Sequence, residues 1–139
     1  MCATVGRGLT HGVVYDFIRK IKNNPVLEAL GGYPGSTKPY CYIDDVTDAL
    51  TLLALKKDTE KYYNIVPSDL INIEQVAKSV MKGMGVEKEI VWLGDEANWS
   101  GDNNLISTLN TKLKSIGWQN KYNSKEAIVK AVQEIMKEN

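Results

Sequence analysis

The chain has 139 residues, a length that suits one domain built around a single hydrophobic core. Hydrophobic residues make up 43% of it, which is ordinary for a globular protein and too high for a disordered one. Lysine plus arginine and aspartate plus glutamate both number 17, so composition gives no general attraction to nucleic acid or to an anionic membrane. A local basic patch remains compatible with this balance.

Residues that usually bind metal are scarce. Cys2, Cys41 and His11 are the only cysteines and histidine, too few for the usual four-ligand zinc site, and they form no CxxC motif and no disulfide framework. No apolar run approaches the roughly 20 residues of a membrane-spanning helix, and residues 1–20 lack the apolar core of a signal peptide. We therefore expect a reduced, cytoplasmic protein with no metal site and no membrane partner.

Short strands alternate with helices in the first half of the chain. Val13, Phe17 and Ile21 recur at helical spacing, and Asn24-Pro25 ends that helix because the residue before a proline disfavours helical angles. The predicted elements, in chain order, are strand 2–5, helix 12–23, an ambiguous segment 26–30, loop 31–36, strand 40–43 and a helix from residue 44 to about residue 56.

The helix after strand 40–43 begins with two acidic residues and is strongly apolar beyond them. Asp44 or Asp45 is predicted to cap it, because a carboxylate can accept hydrogen bonds from the unpaired N–H groups of a first turn. Adjacent side chains at a helix start point in different directions, which disfavours a metal site or paired acid–base chemistry. The apolar remainder predicts that this helix is largely buried.

The second half of the chain continues the same alternation. Its predicted elements are strand 62–66, a helix from residue 73 with a capping box at Asn72 and Gln75 and an end at Gly83 and Gly85, strand 89–93, a polar loop 94–104, a short helix 109–116 stopped by Gly117, and a last helix from residue 123. The strands are too few and too short for a complete doubly wound sheet. We predict a single mixed α/β domain over residues 1–139.

Several short motifs follow one another in a fixed order. They are Ala-Thr-Val-Gly-Arg-Gly at 3–8, Lys-Pro-Tyr-Cys-Tyr-Ile-Asp-Asp at 38–45 with Asp-Ala at 48–49, Tyr-Asn-Ile at 63–65, Gly-Asp at 101–102, Leu-Lys-Ser-Ile-Gly-Trp at 113–118 and Ser-Lys-Glu-Ala-Ile at 124–128. Each is weak alone. In this order they resemble the back portion of the extended short-chain dehydrogenases, the NAD-dependent epimerases and dehydratases that include UDP-glucose 4-epimerase.

The resemblance implies a small mixed α/β substrate-binding portion of a Rossmann-type epimerase, lacking the N-terminal dinucleotide-binding half. The NAD-binding GxxGxxG motif and the catalytic Tyr-x-x-x-Lys pair of that family are absent from these 139 residues. The nearest approach to the pair is Tyr15 with Arg19, which lies in the wrong helix. The resemblance therefore implies no catalytic residue and no cofactor in this chain, with NAD in the missing half.

The same resemblance implies a set of substrate-binding residues: Lys38, Asp102, Arg7, Tyr33 and Thr4. Lys38 stands where an arginine usually grips the diphosphate, and a lysine supplies a point charge without the bidentate fork; its alternative is a solvated loop residue. Asp102 would contact ribose or orient basic groups, or else form a turn. Tyr33 would stack beside the base or pack in its loop, and Arg7 would face a phosphate or form a surface ion pair.

Two functions remain open at this point. The first is the nucleotide-sugar-binding C-terminal part of an NAD-dependent sugar epimerase or dehydratase, not catalytically competent alone, with weak affinity for a UDP-sugar. The alternative is a non-catalytic structural or interaction module, natural or engineered, derived from that family. It is favoured by Thr4 and Trp99, which replace a usual asparagine and arginine. Exposed apolar surface would then promote a homodimer or a strand-exchanged oligomer; nucleic acid is not an expected partner.

Overall fold

The secondary structure alternates short strands with helices, as the sequence predicts. A computed structural model describes residues 2–56, 62–94 and 110–138. Its strands are β1 Ala3–Val5, β2 Leu27–Ala29, β3 Thr37–Lys38, β4 Tyr40–Tyr42, β5 Ile71–Asn72 and β6 Ile90–Trp92. Its helices are α1 Val13–Asn23, α2 Ile43–Leu55, α3 Ile73–Met84, α4 Thr111–Ser115 and α5 Ser124–Glu138. The predicted mixed α/β class is confirmed.

The described strands form three separate pairs. Strand β1 runs parallel to β4, with Ala3 opposite Tyr40 and Val5 opposite Tyr42. Strand β2 runs parallel to β6, and the two-residue strands β3 and β5 are antiparallel. Parallel strands need a long crossover connection, and α1 lies in the one between β1 and β4. The start of α1 is therefore brought close to the β1–β4 pair.

The main core lies where α1, α3 and α5 pack against β1 and β4. Its fully buried members on α3 and α5 include Val76, Val80, Ile128 and Val132. Gly83 is inside α3, and a Cβ atom there would lie 2.8 Å from Cβ of Val132, so the glycine lets the two helices approach closely. The prediction that Gly83 helps to end the helix is wrong; α3 runs to Met84 and ends at Gly85.

Asp45 links α2 to the turn before α5. Its side chain is 1% exposed, and its carboxylate accepts hydrogen bonds from the backbone N–H groups of Lys121 at 3.0 Å and Tyr122 at 3.2 Å. The indole Nε1 of Trp118 donates to its carbonyl oxygen at 2.9 Å. Helix α2 begins at Ile43, so neither Asp44 nor Asp45 is its N-cap residue. The predicted cap is wrong because the Asp45 carboxylate binds backbone N–H groups outside the helix.

Two other predictions fail for this part of the chain. Helix α2 is not largely buried: Leu50 is 54% exposed and Leu55 is 78% exposed, because only one face of the helix packs on the described core. Residues 62–66 form no strand, although Ile65 accepts one hydrogen bond from the N–H of Cys2 at 3.3 Å. The backbone there lies beside β1 without entering a ladder.

The capping box predicted at the start of α3 is confirmed. The side chain of Asn72 accepts from the N–H of Gln75 while the side chain of Gln75 accepts from the N–H of Asn72, which is the predicted capping box. No helix in the described part of the chain is long and apolar enough to cross a membrane. Within residues 2–56, 62–94 and 110–138, no cluster of three or more His, Cys, Asp or Glu side chains could hold a metal ion.

Candidate functional site

A cavity of about 210 Å³ lies beside the β1–β4 pair and brings together two of the predicted site residues, Thr4 and Lys38. Thr4 is half-buried in the middle of β1, and Lys38 is exposed at the end of β3, two residues before β4 begins. The parallel register that sets Thr4 opposite Cys41 carries the residues just before β4 to the same side. The proximity of Thr4 and Lys38 thus follows from strand pairing.

The N-terminus of α1 opens onto this cavity. Gly12 and Val13 line it, and no side chain among the described residues caps the first turn of the helix, which also carries Asp16. Gly12 has φ 90°, a left-handed conformation that favours glycine. Uncapped N–H groups at a helix start carry partial positive charge and bind phosphate or carboxylate oxygens. Together with the ammonium group of Lys38, they make this cavity suited to an anion.

A second cavity, of about 410 Å³, adjoins the first and shares Gly12 and Val13 with it. Its walls are largely apolar, with Phe17, Leu30 and Ile73 among the lining residues. Such a wall beside an anion-binding helix start could accommodate a flat organic group next to a charged one.

Arg7 lies apart from the Lys38 cavity. Its guanidinium Nη2 is 3.3 Å from Oδ1 of Asp44, and both side chains are more than half exposed. The charge of Asp44 raises the pKa of Arg7. Because neither cavity includes Arg7, its contact with a bound anion would require it to leave Asp44.

Tyr33 lies elsewhere in the structure and lines neither cavity. Its side chain is 60% exposed, and its ring meets that of Trp92 edge-on with centroids 5.6 Å apart. A hydrogen bond with Glu74 raises the pKa of the Tyr33 hydroxyl. Asp102 and Trp99 lie outside the described residues.

A buried polar clamp that sequence reasoning missed holds the strand next to Lys38. Ser124 is fully buried, and its Oγ accepts a hydrogen bond from the N–H of Tyr40 at 3.0 Å. The carboxylate of Asp69 in turn accepts from the N–H and the hydroxyl of Ser124 at 3.0–3.1 Å. The capping-type sequence at residues 123–126 signals a helix start, but nothing in it signals a bond to a strand 84 residues earlier.

Comparison with known proteins rests on solved structures. No protein-family model matches the sequence, and no curated protein matches it. A crystal structure of UDP-galactose 4-epimerase matches with TM-score 0.76 and 27% identity over 99% of this chain and 44% of that one. UDP-glucose 4-epimerase from Thermotoga maritima, solved with UDP-glucose, matches with TM-score 0.73 and 23% identity over 99% of this chain and 44% of that one. A dTDP-glucose 4,6-dehydratase from Bacillus anthracis, in complex with NAD, matches with TM-score 0.76 and 16% identity over 98% of this chain and 43% of that one.

The chain has the fold of one part of the sugar-nucleotide epimerases and dehydratases. This confirms the resemblance inferred from the ordered motifs. The chain spans less than half of the length of each of these structures. The fold is therefore shared with a portion of such an enzyme.

Proposed function

We propose that this chain is the nucleotide-sugar-binding part of an NAD-dependent sugar epimerase or dehydratase, with residues 1–139 forming one substrate-binding domain. The observation that carries the proposal is the meeting of Thr4, Lys38 and the uncapped start of α1 at one cavity, in a fold shared with epimerases. The diphosphate of a UDP-sugar would lie against Lys38 and the N–H groups of α1. The nucleoside would extend toward the apolar cavity beyond Gly12.

The affinity expected of this part alone is weak. One lysine supplies a point charge, and both cavities are open to water, which screens that charge. A dissociation constant in the millimolar range, about −4 kcal/mol, fits these contacts. Asp102 would add a contact to ribose, and Arg7 would add a second cation once released from Asp44.

The chain is not expected to catalyse epimerisation or dehydration by itself. Its sequence contains neither GxxGxxG nor Tyr-x-x-x-Lys. NAD would be held by the part of such an enzyme that this chain does not span. The cytoplasmic location suggested by the unpaired cysteines Cys2 and Cys41 stays a prediction.

The test is a calorimetric titration with UDP of the chain and of its Lys38→Ala variant. Lys22→Ala is the matched control, because Lys22 is also exposed but lies on α1 away from both cavities. We expect saturable millimolar binding, weakened by up to about fivefold in Lys38→Ala and unchanged in the control. Absence of binding, or equal weakening in both variants, would contradict the proposal.

The alternative function, a non-catalytic interaction module, is supported by a different observation. Leu50 and Leu55 of α2 are more than half exposed, and so is Tyr62. Exposed apolar side chains that form a contiguous patch mark a contact with another protein. A second copy of the chain would be one partner for it, in a homodimer or a strand-exchanged oligomer.

A further inference from the structure

A groove of about 640 Å³ between α3 and α5 collects much of the positive charge of the described chain. Five lysines line it: Lys78 and Lys82 on α3, Lys121 in the turn before α5, and Lys125 and Lys130 on α5. Among the described residues that line it, Glu126 is the only carboxylate. Since the whole chain has zero net charge, this concentration of cations is local.

Two of these lysines have no compensating partner in the part of the chain that the structure describes. The other three have carboxylate partners at the groove margins, in the pairs Lys78–Glu74 at 2.8 Å, Lys121–Asp48 at 3.6 Å and Lys130–Glu134 at 3.7 Å. Lys82 and Lys125 make no ion pair or hydrogen bond among residues 2–56, 62–94 and 110–138. Glu126 accepts a hydrogen bond from the N–H of Asn123 at 2.9 Å, so its carboxylate serves the start of α5.

The helices hold the lysines in a fixed arrangement. Lys78 and Lys82 are four residues apart and therefore share one face of α3. The close approach of Gly83 to Val132 sets the distance between α3 and α5, and capping boxes fix the first turns of both helices. The five lysines thus line one groove, and the ion pairs of Lys78, Lys121 and Lys130 run to carboxylates outside its lining.

An aromatic side chain forms one wall of the groove. The ring of Tyr122 packs edge-on against Tyr42, with centroids 5.2 Å apart. The Nζ atom of Lys130 lies 5.5 Å from the Tyr122 centroid and 5.3 Å from the Tyr42 centroid. Lys130 therefore makes cation–π contacts with both rings in addition to its ion pair with Glu134.

We propose that this groove is a binding site for a small molecule that carries several phosphate groups. Lysine ammonium groups bind phosphate as point charges, and an anion with several phosphates can contact lysines of both helices at once. The volume lies in the range of small-molecule sites. No lining residue is shared with the Thr4–Lys38 cavity or with the apolar cavity beside it, so this site is separate from the proposed UDP-sugar site.

The test is a titration of the full chain with inorganic tripolyphosphate at low ionic strength. The variant is Lys82→Ala/Lys125→Ala, which removes the two unpaired cations from exposed helix positions. The matched control is Lys22→Ala/Lys137→Ala, which removes the same charge from exposed helix positions outside the groove. Lys38→Ala reports whether the anion binds at the other site, and Lys82→Arg/Lys125→Arg restores the cations.

We expect saturable binding of one tripolyphosphate, weakened about tenfold or more by the groove alanines and less than about twofold by the control pair and by Lys38→Ala. The arginine pair retains binding. Adding UTP in place of tripolyphosphate distinguishes a phosphate-only ligand from a nucleotide: equal affinity indicates that phosphate alone is recognised, and tighter binding of UTP that remains sensitive to the groove alanines indicates a nucleotide.

Three outcomes would overturn the proposal. The first is no saturable binding at about 10 mM anion, which corresponds to less than about 3 kcal/mol of binding free energy. The second is equal weakening by the groove pair and the control pair, which would mean attraction to diffuse surface charge. The third is preferential binding of single-stranded oligonucleotides with affinity that grows with length, which would make the groove a nucleic-acid surface.

Discussion

Helices α2 and α3 are similar in length but differ in how far apolar residues extend around the helix. In α3 the apolar residues face α1 and α5, and the outward residues include Lys78 and Lys82. In α2 the apolar residues continue around the helix, so that Leu50 and Leu55 face outward. The surface of α3 is therefore suited to water and anions, while the surface of α2 is suited to another protein surface. Three changes test this contrast.

The largest effect is expected where α2 is attached to the rest of the chain. Asp45→Ala removes the carboxylate that accepts from the N–H groups of Lys121 and Tyr122, and leaves both donors without that partner. We expect a loss of about 3 kcal/mol in the free energy of unfolding, measured by urea denaturation. Asp44→Ala is the control, because among the described residues Asp44 makes one exposed ion pair, with Arg7, and its loss should cost less than about 1 kcal/mol. Equal losses in the two variants would contradict this account.

The contact between α3 and α5 should give an intermediate effect. A methyl group at residue 83 would lie 2.8 Å from two atoms of Val132, so Gly83→Ala should lower the free energy of unfolding by about 1–2 kcal/mol despite the better helix propensity of alanine. In a Val132→Ala background the clash with Cγ1 is gone while Cβ remains, so the same change should cost less than it does beside Val132. A double-mutant cycle measures the difference; additive effects would show that the two residues do not limit each other.

The outward face of α2 should give the smallest change in stability. Leu50→Lys/Leu55→Lys should alter the free energy of unfolding by less than about 0.5 kcal/mol, because both side chains are exposed. Light scattering at high protein concentration should instead show self-association in the original chain and its loss in the variant. A monomer in both proteins would remove the basis for self-association through this face.

Local chemistry predicted much of the fold. The apolar stripe of α1 and the capping box of α3 depend on residues within a few positions of one another, so the local sequence is sufficient to predict both. Asp45 was misassigned as a cap because its partners are 76 and 77 residues away. Residues 62–66 have the composition of a strand, but strand formation depends on ladder partners that composition does not reveal.

The candidate site was predictable only in part. The ordered motifs pointed to Lys38 and Thr4, and strand pairing brings these residues to one cavity. The resemblance also implied Arg7 and Tyr33, but Arg7 pairs with Asp44 and Tyr33 packs against Trp92, and neither residue lines this cavity. No local pattern in the sequence predicts the lysine groove, because its residues are spread from 78 to 130 and only the packing of two helices brings them together.

The bond between Tyr40 and Ser124 also bears on the order in which the protein is made. Strand β4 leaves the ribosome before α5, yet the hydroxyl that accepts a hydrogen bond from its first N–H belongs to α5. Synthesis proceeds from the N-terminus, so the earlier elements can collapse first while the strand beside Lys38 waits for α5. A chain arrested before Ser124 would hold the residues of the cavity without the polar clamp that secures them, and translation of α5 would complete it.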